Sequence, residues 1–324
     1  MMAYPAAVQN VYHALAEAAR NAEPVALGII TTVKGSSPQK LGAKAIFHSD
    51  GRITGTLGGG CLEAEIQHRA MAALRSAEPE AFDLLLDHDF GWDDGLICGG
   101  KVGGVILPNA QAAGVSFWER IAKRAERYSW EVSADYSIRT SDSTVDSAVL
   151  YREEVHPPCV LWIAGAGHIA QAVAPLAASL DFDVTVFDDR PALASRDYFP
   201  SAINLQTGMW DELCAMRLPP VPAFALIVTR GHRHDALVLK DWIQQPFLFL
   251  GMIGSARKAR TIFEHFREEQ IATEEQLQRV ACPVGIRIRS QSVPEISVSI
   301  MAQFIEKRAE LVFDRRKSGL LRVA

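Results

Sequence analysis

From residue 160 onward, short apolar segments typical of β-strands alternate with segments typical of α-helices. The predicted strands cover residues 160–164, 183–188, 202–205, 223–229 and 247–252. The predicted helices cover residues 169–180, 210–216, 235–244, 257–269 and 294–311. Alternation of this kind favours a parallel sheet with right-handed crossovers, since each helix returns the chain to the same sheet. The sequence therefore predicts an α/β fold whose C-terminal part is a Rossmann-type, doubly wound parallel sheet.

The first predicted strand of this region runs into residues 165–170, the GxGxxA form of the dinucleotide-binding turn. Gly165 permits a tight turn, Gly167 lets the backbone approach a diphosphate, and Ala170 lets the helix pack closely against the strand. His168 begins the predicted helix, and the N–H groups and macrodipole at the helix N-terminus favour an anion. The alternative is a Rossmann fold that binds another anion, or none.

An acidic residue follows this turn at the spacing of a ribose-binding acid. Asp188 ends the next predicted strand, 21 residues after Gly167, close to the ~20 residues expected. Arg190 follows it, which leaves the choice between NAD and NADP open. The pattern predicts NAD(P) as a candidate ligand of this glycine turn.

Two more loops follow predicted strands, where open α/β sheets bind ligands. Arg230 and His232, in residues 229–235, are candidate ligand contacts, and His232, His234 and Asp235 could bind a metal or move a proton. The alternative is that Asp235 caps a helix and the histidines are solvated.

The second of these loops is residues 251–258, a glycine turn with two cations at the start of a helix. Backbone donors near Gly254 and Ser255, together with Arg257 and Lys258, suit a phosphate. The alternative is a solvated helix end that Ser255 caps.

Pro157 and Pro158 mark the predicted boundary between residues 1–155 and residues 156–324, because paired prolines interrupt regular structure. Before them the pattern mixes elements without a βαβ period. Helices are predicted over residues 8–20, 61–75 and 116–127, and strands over residues 25–33, 82–86, 102–107 and 149–151. Asp50-Gly51 predicts a hairpin between residues 45–47 and 52–54. This half is predicted to be an α+β domain.

Two cysteines of this half are flanked by glycines. Gly58, Gly59 and Gly60 precede Cys61 at a predicted helix start, and Cys98 precedes Gly99 and Gly100. Successive glycines can form an anion-binding nest, and a helix N-terminus stabilises a thiolate as a nucleophile or metal ligand. The alternative for each is a glycine turn beside a small buried cysteine.

Composition excludes several classes of protein. A net charge of −5 gives no basic field for nucleic acid, and no apolar run approaches the length of a membrane helix. The first residues do not resemble a signal peptide. Five cysteines without CxxC spacing predict a cytoplasmic protein with neither a disulfide framework nor a structural zinc.

The ordered set of motifs resembles the xanthine dehydrogenase accessory factor family, the XdhC/CoxI proteins. The resemblance rests on residues 35–38, 42–44, 58–63, 98–100, 165–168, 188–191, 229–235, 251–258, 283–285 and 295–300. It departs from the family pattern at Arg287 and Arg289, where an aspartate and a glycine are usual. These positions predict an altered ligand contact or turn, or a divergent client.

The resemblance implies a chaperone rather than a catalyst. Such proteins bind molybdenum cofactor, present it to a cysteine desulfurase that replaces an oxo ligand by sulfur, and help deliver it to a molybdenum hydroxylase such as xanthine dehydrogenase. Cys61 and Cys98 are the expected contacts to the metal, and a homodimer is expected. The competing hypotheses are an NAD(P)-dependent oxidoreductase, with His232 and His234 as acid–base groups, and a nucleotide-sensing interaction module.

Overall fold

The computed structural model of the chain describes residues 11–35, 40–86, 100–141 and 148–317. They form two compact units, an N-terminal unit that ends at Pro157 and a C-terminal unit that begins at Pro158. Within these ranges, no helix combines the length and the apolar character needed to cross a membrane.

The N-terminal unit contains two antiparallel sheets. The larger has the order β3-β2-β1-β5-β4 and the smaller has the order β7-β6-β8. Their strands are β1 (Val25–Lys34), β2 (Lys44–His48), β3 (Ile53–Gly55), β4 (Glu80–Leu86), β5 (Gly100–Leu107), β6 (Tyr128–Ser133), β7 (Ile138–Thr140) and β8 (Val149–Val155). The hairpin predicted around Gly51 joins β2 to β3, and Gly51 has the positive φ, 87°, that such a turn requires.

Helices cover both faces of the larger sheet. They are α1 (Val11–Arg20), α2 (Gly60–Ser76) and α3 (Val115–Lys123), with a 3₁₀ turn at Ala110–Ala113. Because side chains alternate along a strand, Leu27 and Ile29 of β1 pack with α1, α3 and the smaller sheet. Ala26 and Ile30 pack on the opposite face, with α2. This arrangement is the predicted α+β architecture.

The C-terminal unit is built on a six-stranded parallel sheet with the order β11-β10-β9-β12-β13-β14. The strands are β9 (Cys159–Ala164), β10 (Phe182–Asp188), β11 (Asn204–Thr207), β12 (Ala223–Ile227), β13 (Phe249–Met252) and β14 (Val280–Ala281). Numbered from β9, this is the 3-2-1-4-5-6 order of the Rossmann fold. The predicted doubly wound sheet is confirmed.

Helices flank this sheet on both faces: α4 (His168–Ser179), α5 (Trp210–Cys214), α6 (His232–Trp242), α7 (Ala256–Glu268), α8 (Glu274–Gln278) and α9 (Val293–Lys317). Trp162 of β9 packs with residues of α5 to α8. Leu161 and Ile163 face the other way, towards α4 and α9. The strand order reverses between β9 and β12, so the loops that follow these two strands border the crevice where open sheets bind ligands.

Candidate functional site

Three successive glycines lead from β3 into α2. Gly58, Gly59 and Gly60 have φ values of 117°, 70° and 58°, which favour glycine over every other residue. A Cβ placed on Gly59 or Gly60 would meet no atom within 4 Å, so their backbones border open space. Gly59 is the N-cap of α2 and offers no side-chain acceptor to the first turn. The loop therefore has both room and N–H donors for an anion.

The Glu63 side chain fixes the segment just before these glycines. Its carboxylate accepts hydrogen bonds from the Leu57 N–H and the Thr56 hydroxyl, both at 2.9 Å. The Thr56 oxygen in turn accepts the Gly58 N–H at 3.2 Å. Glu63 was part of the resemblance but had no assigned role, and the structure shows that it anchors the entry to the glycine loop.

Cys61 lies in the first turn of α2 and is half-buried. Cys98 and Gly99 lie outside the described residues, so their predicted pairing with Cys61 stays a prediction. Gly100, the nearest described residue, opens β5 and pairs with Leu86 of β4, and the next residue, Lys101, pairs with Lys34 at the end of β1. The end of β3 lies at a different level of the sheet, because Gly55 pairs with Ala45 and Ala45 pairs with Gly28, well before Lys34 along β1.

The N-terminal unit also contains a buried cation. Lys44, at the start of β2, has a side chain 7% exposed, and its ammonium lies 2.7 Å from a carboxylate oxygen of Glu153. It also donates to the Gly42 carbonyl at 2.8 Å and to the Tyr151 hydroxyl at 3.0 Å. Burial lowers the pKa of Lys44, and the charge of Glu153 opposes that shift.

The surroundings of Lys44 are aromatic. Its ammonium lies over the rings of Tyr12, Trp130 and Tyr151, at 5.7, 5.9 and 5.0 Å from their centroids. The Lys44 carbonyl accepts the Thr56 N–H at 3.2 Å, so this residue also holds the backbone that enters the glycine loop.

In the C-terminal unit, the two glycines of the predicted dinucleotide turn have different surroundings. Gly165 has φ 112°, and a Cβ there would overlap the carbonyl group of Val228, in the loop after β12. Beside Gly167 a Cβ would meet no atom within 4 Å. Gly167 is also the N-cap of α4, without a side-chain cap. Gly165 thus serves a close backbone approach, while Gly167 borders open space, as the motif predicts.

The predicted ribose-binding acid is fully engaged within the protein. Asp188 is 0% exposed. One carboxylate oxygen accepts the Ala166 N–H at 2.6 Å and Nη2 of Arg190 at 2.8 Å. The other accepts the N–H and Nε of Arg190, at 2.9 and 2.8 Å. Burial raises the pKa of Asp188, but these hydrogen bonds outweigh burial and hold the pKa below its usual value. The geometry gives no support to a direct bond between Asp188 and a ribose.

Arg230 links the loops after β10 and β12. Its Nη2 donates to Asp189 at 2.7 Å and lies 3.0 Å from Nε2 of His234. His168 and His232, the first residues of α4 and α6, are exposed. The structure thus brings Arg230 to the glycine-turn side of the crevice, and the ligand roles predicted for His168, Arg230 and His232 stay predictions.

The two remaining predicted motifs meet through one ion pair. Asp235, 0% exposed, accepts the N–H and hydroxyl of Thr229, at 3.1 and 2.6 Å, and pairs with the Lys258 ammonium. Lys258 also donates to the Ile253 carbonyl at 3.0 Å. Since Lys258 is committed to these protein acceptors, the geometry does not support its predicted role as a phosphate ligand.

The start of α7 follows the alternative interpretation of this motif. Ser255 is the N-cap, and its hydroxyl accepts the Lys258 N–H at 3.2 Å. A Cβ on Gly254, which has φ 154°, would lie 2.8 Å from Cδ of Lys258 and 3.5 Å from Sγ of Cys282. Gly254 therefore makes room for the half-buried Lys258 side chain. Arg257 is exposed, and its role as a phosphate ligand stays a prediction.

Cys282 is a half-buried thiol that the sequence analysis did not single out. It follows β14 and lies beside Lys258 at the carboxyl edge of the sheet. Burial raises the pKa of its thiol, against the opposing charge of Lys258. Its position depends on a tertiary contact, for which the sequence carries no local signal.

A metal centre built from the usual side chains does not occur within the described ranges. Among those residues, no three or more His, Cys, Asp or Glu side chains come close enough together to hold an ion. In the loop after β12, both oxygens of Asp235 are taken by Thr229 and Lys258. The alternative of a metal bound by His232, His234 and Asp235 therefore finds no support.

Comparison with protein families gives two matches. Residues 18–87 match the model described as the XdhC and CoxI family, and residues 161–304 match the model of the XdhC Rossmann domain. Together these ranges cover well over half of the 324 residues.

Three relatives are similar over most of the chain. The protein YqeB of Escherichia coli K12, described as uncharacterized, is 25% identical over 92% of this chain, which spans 46% of YqeB. A protein named as a probable xanthine dehydrogenase subunit, from Bacillus subtilis 168, is 24% identical, over 88% of this chain and 94% of its own length. The molybdenum cofactor insertion chaperone PaoD of E. coli K12 is 24% identical, over 90% of this chain and 86% of its own.

A solved structure shares the fold. The crystal structure of a protein named xanthine dehydrogenase, from Bacillus halodurans, superposes with a TM-score of 0.79 and 22% identity, over 93% of this chain and 96% of that one.

Proposed function

The chain belongs to the XdhC and CoxI family, and from this membership we propose that it is an accessory factor that binds molybdenum cofactor for insertion into a xanthine dehydrogenase-like molybdenum hydroxylase. The observation that carries the proposal is the similarity, over 90% of the chain, to a relative named as an insertion chaperone for this cofactor. The open glycine loop before Cys61 supplies a place for binding.

The residues of this loop fit the chemistry of the cofactor, which combines a pterin, a dithiolene and a terminal phosphate. N–H groups at Gly59, Gly60 and the first turn of α2 suit the phosphate, because the open space beside the glycines admits it. The Cys61 thiol offers a soft ligand. When bound, the cofactor supplies the metal centre that the client enzyme uses, and this chain would hold and shield it.

The proposal extends to events before and after binding. The chain would present the cofactor to a cysteine desulfurase for sulfuration and then associate with its client in the cytoplasm. It would do so as a homodimer, with Cys98 completing the thiol set. Co-purification with a molybdenum hydroxylase and a desulfurase, and light scattering of the purified chain, test these steps separately.

Cofactor binding itself is tested by titrating the purified chain with isolated molybdenum cofactor. We expect submicromolar affinity, strongly weakened in Cys61→Ala. Cys159→Ala is the matched control, since Cys159 is a half-buried cysteine of the C-terminal unit. Absence of tight binding, together with normal client activation by the Cys61 variant, would overturn the proposal.

A second candidate ligand is NAD(P), at the carboxyl edge of the C-terminal sheet. The open, uncapped Gly167 at the strand-order reversal favours it. In this view the dinucleotide regulates association with the client or supports an oxidoreductase activity. Titration with reduced dinucleotide detects binding, turnover of a carbonyl substrate favours the enzyme, and dinucleotide-dependent client binding favours regulation.

A further inference from the structure

We propose that the carboxyl edge of the C-terminal sheet selects a dinucleotide that carries a 2′-phosphate on its adenosine ribose, so that NADP(H) binds in preference to NAD(H). This inference rests on the dinucleotide candidate of the proposed function. It concerns the end of β10, where Rossmann proteins distinguish the two dinucleotides.

A free carboxylate at this position selects NAD, because it accepts hydrogen bonds from the ribose hydroxyls. A carboxylate has about four lone-pair positions. Those of Asp188 are filled by the Ala166 N–H and by three donors of Arg190. With the side chain 0% exposed, Asp188 has no acceptor left for a ribose.

Arg190 takes over the position at which a ribose acid would act. Its Nε and Nη2 bond to Asp188 side by side, which fixes the plane of the guanidinium. The side chain is 32% exposed, and within the described residues no acceptor is found for Nη1. A guanidinium held in this way, with free N–H groups, suits a phosphate.

The neighbouring carboxylate also has a cationic partner. Asp189 accepts Nη2 of Arg230 at 2.7 Å and lies 3.8 Å from Nε of Arg190. Each aspartate of this strand end is thus matched by an arginine, and each arginine is partly exposed. The edge offers guanidinium donors to an incoming ribose, and a phosphate dianion satisfies them better than hydroxyls do.

The closing experiment compares NADPH with NADH by calorimetry on the full chain, and 2′,5′-ADP with 5′-ADP as a pair that cannot undergo redox chemistry. We expect the 2′-phosphorylated member of each pair to bind at least about tenfold more tightly, the scale of one charge-assisted hydrogen bond. Equal affinities, or tighter binding of NADH, would overturn this inference and leave the dinucleotide candidate standing. Binding of neither dinucleotide would overturn both.

Substitutions assign the preference to its residue. Arg190→Gln should abolish the preference for NADPH without weakening NADH binding, because it removes the phosphate donor and frees acceptors of Asp188. Arg217→Gln is the matched control, since Arg217 is exposed in the same unit and should change neither. A preference that survives in a folded Arg190 variant would overturn the assignment. The comparison in the unsubstituted chain stays decisive if that variant does not fold.

Discussion

The Lys44 ammonium lies 2.7 Å from a carboxylate oxygen of Glu153, and this ion pair joins β2 of the larger sheet to β8 of the smaller one. We expect Lys44→Met to destabilise the N-terminal unit by about 3 kcal/mol, because it leaves a carboxylate without its cation. The value is at the low end of the range for such pairs because a quarter of Glu153 is exposed. Urea unfolding measures the loss. Lys40→Met, at an exposed position, should unfold like the unsubstituted chain, and equal losses in both variants would contradict the role of the pair.

The pair between Lys258 and Asp235 should likewise be structural. Lys258→Met strands a carboxylate that is 0% exposed, so we expect a loss of about 3–5 kcal/mol in the free energy of unfolding. Arg257→Met, one residue earlier and exposed, should change stability by less than about 0.5 kcal/mol. Denaturant titration compares the two. A stable Lys258 variant that only loses phosphate affinity would restore the phosphate-binding role.

The two glycines after β9 should respond in opposite ways to alanine. Gly165→Ala adds a Cβ that overlaps the Val228 carbonyl, at φ 112°, and should cost at least about 2 kcal/mol of stability. Gly167 has φ −76° and open space beside it, so Gly167→Ala should fold normally. If a diphosphate approaches there, this variant should lose dinucleotide affinity at unchanged melting temperature. Unchanged stability in the Gly165 variant would contradict the observed contact.

Acid should weaken the N-terminal unit partly through Glu131, whose side chain is 3% exposed between Arg139 and Arg152. Burial raises the pKa of Glu131, but hydrogen bonds from both arginines outweigh it and hold the pKa below its usual value of 4.5. The unfolded chain therefore binds the proton first as pH falls. The stability that Glu131 contributes is present above pH 4.5 and is lost as pH falls through the lower, folded-state pKa.

Urea unfolding at several pH values between neutrality and the acid limb measures this effect. Glu131→Gln should show a shallower fall in stability below the usual carboxyl pKa, since glutamine does not titrate. Identical pH profiles for the two chains would show that Glu131 contributes nothing to acid sensitivity.

Much of the C-terminal fold follows from the sequence, because buried parallel strands are continuous apolar runs and the glycine turn marks the first crossover. The strands β9, β10 and β12 and the helices α4, α6 and α7 fall within a few residues of the predicted ranges. The short elements α8 and β14 were missed, since five and two residues carry too little periodicity to detect.

The N-terminal unit shows where local signals fail. The predicted helix over residues 116–127 ends at Lys123, because Arg124 adopts a left-handed conformation with φ 47°. Glycine usually occupies that position, so an arginine gives no warning of the helix end. The prediction therefore ran into the loop and missed β6, although Tyr128, Trp130 and Val132 alternate as a half-buried strand should.

The sequence predicted where the candidate sites lie, but it did not predict which hydrogen bonds and ion pairs their side chains form. Spacing identified Asp188. Whether its carboxylate can accept a hydrogen bond from a ligand depends on the Arg190 side chain, which folds back and donates to both oxygens. The pairing of Lys258 with Asp235 joins segments 23 residues apart. Such side-chain pairings depend on tertiary packing, which the spacing of residues along the chain does not reveal.

The hydrogen bond from the Ala166 N–H to Asp188 holds the glycine turn through a contact within the protein, so the turn does not need a ligand to form. Because this bond already holds the turn, a ligand that binds there should lose little entropy in ordering the loop. Association should then behave as a single encounter step whose rate rises linearly with ligand concentration, without the plateau that a slow rearrangement imposes.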